Sequence, residues 1–179
     1  MKLLLHTCCA PCAIYPIKQA RADGYSSLTL VFYNPNIHPS GEFIRRKKET
    51  DLLVKKQNLD VINTEYKPEE YFKGISDFDD ISKRCFSCWT LRLEKTAGIA
   101  EKEGFDAFST TLLGSPYQNH EALKEICLRF SRIFNIKFYY RDFRIGFRDA
   151  HKEARISGMY CQNYCGCVFS LVERYESHR

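Results

Sequence analysis

The sequence predicts an α/β protein: a doubly wound, mostly parallel five-stranded sheet with a helical C-terminal part. Three observations predict it. Strand-type and helix-type segments alternate along the chain, the pattern of βαβ units. The chain has 179 residues, a length that suits one domain over 1–179 and buries about 70% of its unfolded surface. Finally, the chemically richest segments follow the first, second and fourth strands, at the sheet end where ligands sit in such folds.

Residues 2–6 read as a short buried strand, followed by a cysteine-rich turn at 7–12 and a helix over 13–23. Residues 27–33, with Leu28, Leu30, Val31 and Phe32, form the second strand, which ends at the Asn34-Pro35-Asn36 turn. Ser40-Gly41-Glu42 opens a charged helix to about Gln57, and 60–66 is the third strand. The stretch 67–81 reads as mobile. Ser82 is the expected cap of a long helix to about Gly104, and 106–111 is the fourth strand. Ser115-Pro116-Tyr117-Gln118 combines a capping box with proline at the first helical position. Leu123, Ile126, Cys127, Phe130, Ile133 and Phe134 then make an apolar stripe at helical spacing. Residues 136–142 are the fifth strand. The remainder reads as helix, broken at Gly158 and around Cys165-Gly166-Cys167.

With 44% hydrophobic and 14% aromatic residues the chain is not of the disordered class. No apolar run approaches the roughly 20 residues that span a bilayer, and the apolar opening at 1–6 is too short for a signal-peptide core. A cytoplasmic, membrane-free protein is expected. The net charge of +5 permits a polyanionic partner such as tRNA without requiring one. What composition leaves unexplained is nine cysteines, which in such a protein point to metal or redox chemistry rather than structural disulfides.

Cys8, Cys9 and Cys12 crowd the turn after the first strand, where adjacent thiols can reach one metal centre; small buried residues in a tight turn are the structural alternative. Cys85 and Cys88 lie at a helix start, share a face at i and i+3, and sit where the helix dipole favours thiolates. Cys8, Cys9, Cys85 and Cys88 together suit an iron–sulfur cluster or zinc, and spacing alone does not choose. Bridging Cys165 and Cys167 would close a small strained ring that is easily reduced, which fits a redox-active pair; two free thiols beside a turn is the alternative. Cys127 belongs to the apolar stripe and reads as core. Cys161 receives no role, and Cys12 either binds a second metal or flanks the first.

His6 in a strand reads as buried and hydrogen-bonded. Arg45-Arg46-Lys47-Lys48 reads as a solvated helix face, with phosphate contact as the alternative. Arg92 falls one turn beyond Cys88 and can hold positive charge near the thiols. Tyr117, Asn119, Asn163 and Tyr164 are loop groups able to stack on and hydrogen-bond a base.

Several segments together resemble the QueH family of epoxyqueuosine reductases. They are Leu5-His6-Thr7-Cys8-Cys9-Ala10-Pro11-Cys12, Tyr33-Asn34-Pro35-Asn36-Ile37 and Arg84-Cys85-Phe86-Ser87-Cys88, then Thr110-Thr111-Leu112-Leu113 with Ser115-Pro116-Tyr117, Asp142-Phe143-Arg144, and Gln162-Asn163-Tyr164-Cys165-Gly166-Cys167. The resemblance implies cobalamin-independent reduction of epoxyqueuosine in tRNA to queuosine, the last step of queuosine formation, with an unidentified electron donor. It implies a [4Fe–4S] cluster on Cys8, Cys9, Cys85 and Cys88, and a redox pair at Cys165 and Cys167. It also implies a further adjacent iron, for which Cys12 and Asp142 are the candidate ligands. The implied fold is adenine-nucleotide alpha-hydrolase-like, but the first turn carries cysteines where a pyrophosphate loop would be, which argues against ATP use. An iron–sulfur tRNA sulfur-transferase, a zinc-stabilised RNA-binding module and a metal-free dithiol oxidoreductase are the competing readings.

Overall fold

The computed structural model describes residues 1–176. Five strands, β1 (Lys2–His6), β2 (Ser27–Phe32), β3 (Asp60–Asn63), β4 (Ala107–Thr110) and β5 (Lys137–Phe138), form one sheet in the order β3-β2-β1-β4-β5. Every pairing is parallel. Parallel neighbours need crossovers, and helices supply them: α1 (Ala10–Ala22), α2 (Ser40–Gln57), α3 (Pro68–Gly74), α4 (Ile81–Lys102) and α5 (His120–Ile133). Two more, α6 (Phe147–Ile156) and α7 (Val168–Glu176), follow the last strand.

The chain winds outward from β1 to β3, then crosses to the other side of β1 as β4. That reversal opens a crevice beyond the carboxyl ends of β1 and β4. Leu3, Leu4 and Leu5 in β1 are all fully buried. A central parallel strand is covered on both faces, so its sequence is continuously apolar rather than alternating. Leu93, Ala97 and Ala100 of α4 and Leu123, Ile126, Cys127 and Phe130 of α5 complete the core around it. Truncating one such leucine to alanine costs about 2–5 kcal/mol. No helix among the described residues is long and apolar enough to cross a membrane.

The departures from expectation have local causes. α1 starts at Ala10, earlier than residue 13, because Cys9 has the extended backbone of an N-cap and Pro11 suits the first turn. Cys12 therefore stands on a helix, not in the turn. The stretch 67–81 contains α3, opened by Pro68, Glu69 and Glu70 and held by the buried Tyr71. Asp80 rather than Ser82 caps α4, accepting from the Lys83 amide at 3.0 Å. At 115–118 there is a turn in place of a helix start. The Ser115 hydroxyl accepts locally from the Tyr117 amide at 3.3 Å, and Asn119 caps α5 by accepting from the Ala122 amide at 3.1 Å. Ile133, at the end of α5, is exposed. β5 is shorter than 136–142 because it pairs with β4 alone, through Lys137 and Phe138.

A candidate metal and substrate site

The crevice is built on His6. Its Nε2 lies 3.2 Å from the Tyr33 carbonyl, which only accepts, so Nε2 carries the proton and Nδ1 accepts from the Thr110 hydroxyl at 3.0 Å. Burial, followed by the nearby Arg92 charge, pushes its pKa down to about 3. A neutral, saturated imidazole straps β1 to its neighbours and has no free nitrogen for a metal. The chain then delivers Cys8, whose amide donates to the Thr111 hydroxyl at 3.3 Å. The sulfurs of Cys8, Cys9 and Cys12 all lie within 4.8 Å of one another, a set able to hold a metal ion. Gln162 reaches in from the C-terminal loop, its Nε2 donating to Cys9 Sγ at 2.7 Å and Cys12 Sγ at 3.6 Å. Hydrogen bonds from Cys12 and Cys9 hold the Cys8 thiol well below the ordinary thiol range, while burial pushes Cys9 up. The trio thus favours one thiolate shared among three sulfurs.

Cys85 and Cys88 occupy the first turns of α4. Cys88 is buried beside Tyr71, Ile75 and Cys167. The link to β1 is Arg92, only 1% exposed. Its Nη1 donates to Cys88 Sγ at 3.9 Å and its Nη2 to Asn34 Oδ1 at 2.9 Å, and Asn34 in turn donates to the Thr7 carbonyl at 2.9 Å. The guanidinium acts electrostatically on Cys88, Cys8 and Cys165. Burial raises Cys85 and Cys88 to about 11 each. Cys85 and Cys88 are outside the close trio. Cys8 and Cys88 face the same buried Arg92 guanidinium, while Arg84 acts on Cys85, so the two thiol groups present soft sulfur donors on either side of one cation, the donor chemistry that an iron–sulfur core takes.

The loop before α7 brings Cys165 to the crevice while Cys167 is buried. Both are free thiols in this structure. Trp89 Nε1 donates to Gln118 Oε1 at 2.8 Å, which turns the Gln118 amide nitrogen toward Cys165 Sγ at 3.9 Å. Gly166 has φ +138, a conformation that L side chains rarely adopt. Arg46 clamps this loop from below: Nη1 donates to the Cys165 carbonyl at 3.0 Å, Nη2 to the Tyr164 carbonyl at 3.1 Å, and Nε to Glu42 at 2.6 Å. The His38 amide adds a bond to the Gly166 carbonyl at 2.8 Å.

Above the thiols lies a cavity of about 850 Å³ lined by Cys8, Cys12, Cys165, Arg92, Gln162 and Tyr117, among others. Asn163 and Tyr164 line it as well, whereas Asn119 is the α5 cap. Arg92 Nε, Gln162 Oε1 and His151 Nε2 are buried without a hydrogen-bond partner, and all three residues line this cavity. Buried polar atoms are normally satisfied; these three are covered by protein rather than open to the cavity.

Asp142 does not join the thiols. Its carboxylate accepts from Arg144 Nη2 at 2.6 Å and from Arg144 Nε at 2.8 Å, and it caps the turn at Phe143–Gly146. Within the Arg45–Lys48 run, Arg46 is 1% exposed, so that position is not a solvated face. Cys127 is core, as expected. Cys161 donates to the Met159 carbonyl at 3.6 Å and packs against the main core. Sequence reasoning missed Gln162, Gln118 and Arg46 as parts of the site. For Gln162 the signal was its place in the Gln162–Cys167 segment that carries the family resemblance.

The family model described as "Epoxyqueuosine reductase QueH" matches residues 3–173. A protein of that name from Thermotoga maritima is 38% identical over 98% of this chain and 93% of its own length. One from Dehalococcoides mccartyi is 34% identical over 97% of this chain and 94% of its own, and one from Acinetobacter baylyi 33% identical over 95% and 80%. With a family match that runs nearly end to end and relatives that cover most of both chains, this chain belongs to the QueH family of epoxyqueuosine reductases.

Proposed function

We propose that the protein reduces the epoxide of epoxyqueuosine in tRNA to the alkene of queuosine. The observation that carries the reading is the polar, thiol-floored cavity at the sheet's switch point, in a chain of this family. Its volume of about 850 Å³ is ample for a nucleotide turned out of an RNA loop.

We assign a [4Fe–4S] cluster to Cys8, Cys9, Cys85 and Cys88, and the adjacent iron to Cys12. The donor chemistry supports both: buried thiols next to a buried cation, with the Cys8/Cys9/Cys12 group close enough to share metal. Asp142 is taken up by Arg144 and is left out of the set; Asp149 is the aspartate that lines the cavity. When bound, these centres supply one-electron transfer and a Lewis acid for the epoxide oxygen.

The protein's own groups do the rest. Expelling an epoxide oxygen as water takes two electrons and two protons. Oxidation of the Cys165/Cys167 dithiol to a disulfide supplies that number of each, and an external reductant restores the dithiol. Cys165 faces the cavity and is the thiol placed to give its proton toward the leaving oxygen. The Gln118 amide orients it. The Arg92 guanidinium, fixed beside the cavity, offers positive charge for developing negative charge. Gln162 holds the thiols of Cys9 and Cys12 in place.

The test is anaerobic incubation of iron-loaded protein and a reductant with anticodon-loop RNA that carries epoxyqueuosine. Digestion and mass spectrometry should show the nucleoside lighter by one oxygen. Intact epoxyqueuosine with iron-loaded protein overturns the proposal.

A further inference from the structure

We propose that one face of α6, carrying Arg148, Lys152 and Arg155, is a phosphate-binding strip for the RNA strand that flanks the nucleotide in the cavity; this rests on the tRNA substrate proposed above.

The three cations fall at i, i+4 and i+7 and so share one side of the helix. All three are exposed, and all three line the same cavity as Cys8, Cys12 and Cys165. They cover about 10 Å of helix axis, enough to meet more than one phosphate. Among the described residues none of the three makes an ion pair or side-chain hydrogen bond. Two cations near this helix and the core are paired instead: Lys18 with Glu153 of α6 itself at 2.6 Å, and Arg141 with Asp23 at 2.7 Å. One carboxylate, Asp149, also lines the cavity from this helix, which leaves the strip net positive.

The strip is firmly mounted. Ala150 and Ala154 bury the opposite side of α6 in the core. Gly146, at its entry, lies so close to the Tyr15 ring that an added Cβ would sit 2.1 Å from it. Fixed guanidinium and ammonium groups beside a cavity for a base have the layout of a single-strand binding groove. Tyr117 completes it: 84% exposed, lining the cavity, and set edge-on to Phe147 with ring centroids 6.1 Å apart. An exposed aromatic at the mouth gives a base a surface to stack on. A solvated helix face explains charge and exposure, but not why every unpaired cation of α6 turns to the thiol-lined cavity.

The experiment is fluorescence anisotropy of an unmodified anticodon stem-loop RNA over a salt series, with R148Q, K152Q, R155Q and the triple variant. Wild-type affinity should fall steeply with salt. Each substitution should lower the slope of log K against log salt by about 0.7–0.9, and the triple by about 2. K102Q, which removes an exposed charge at the far end of α4 from Cys85 and Cys88 and outside the cavity lining, is the control and should keep the wild-type slope. An unchanged slope in a triple variant with wild-type circular dichroism overturns the strip, as does an equal drop in K102Q. Failure of wild-type protein to deoxygenate epoxyqueuosine while this slope pattern holds would sink the reductase reading and leave the strip standing.

Discussion

Arg46 donates to the Cys165 carbonyl at 3.0 Å from a position that is only 1% exposed. A guanidinium from α2 thereby fixes the height and orientation of the loop with the Cys165/Cys167 pair through two directed bonds, while a third to Glu42 of its own helix holds the planar fork in place.

Arg46→Ala should destabilise the fold by about 3–5 kcal/mol, since Glu42 and two carbonyls lose a buried partner. Arg46→Lys keeps the charge and loses the fork, so it should loosen the loop while the fold survives. Alkylation of Cys165 by iodoacetamide should then speed up while Cys127 stays protected. Unchanged alkylation of Cys165 in Arg46→Lys would refute the clamp.

Gly166→Ala should cost about 1–3 kcal/mol, because the backbone is held where non-glycine residues are strained. The new methyl would also lie 3.2 Å from Ile37 and 3.3 Å from the Asn36 amide. Turnover should fall sharply with bound iron retained, which metal analysis and single-turnover kinetics would separate.

Substitution of the proposed ligands should act on metal before it acts on folding. Cys8→Ser and Cys88→Ser should each lose most of the bound iron. Cys127→Ser should keep its iron and lose about 1–3 kcal/mol of stability, as its hydroxyl would be buried in an apolar stripe. Iron assays and thermal melts on the same preparations distinguish the two classes.

The Asp142–Arg144 pair predicts an acid dependence. Hydrogen bonds from Arg144 hold the Asp142 carboxyl down to about 2. The folded state therefore favours the ionised form, and the stability it adds is present above the ordinary value of 3.8 and lost as pH falls toward about 2. With the side chain 33% exposed, solvent screening reduces this to about 1 kcal/mol. Asp142→Asn should flatten the denaturation profile over that window and leave iron content unchanged. A loss of iron would instead return Asp142 to the metal site.

The sheet was readable from sequence because β1 is a run of leucines between turn signals and strand-type segments alternate with helices. The thiols were readable because cysteine is rare enough for its clusters to stand out. The supporting groups were not. Arg46 lies in a run of four basic residues, and only the fold shows that one of them turns inward under the Cys165 loop. Gln162 and Gln118 are ordinary loop amides until Cys9, Cys12, Trp89 and Cys165 are brought to them across the chain. Helix α3 went unread although Pro68, Glu69 and Glu70 open it in the usual way; its seven residues leave little room for periodicity. At Ser115 the sequence offered a sound cap, and a local hydroxyl–amide bond took the position.

The central claim is that thiols from two distant segments gather around one inorganic centre in the β1–β4 crevice. Iron and acid-labile sulfide analysis of anaerobically purified protein, wild type beside Cys85→Ser/Cys88→Ser, tests it most directly. The account predicts about four sulfides per wild-type chain, with at least as many irons, and a collapse of both in the double variant. A double variant that retains its full iron and sulfide would contradict it.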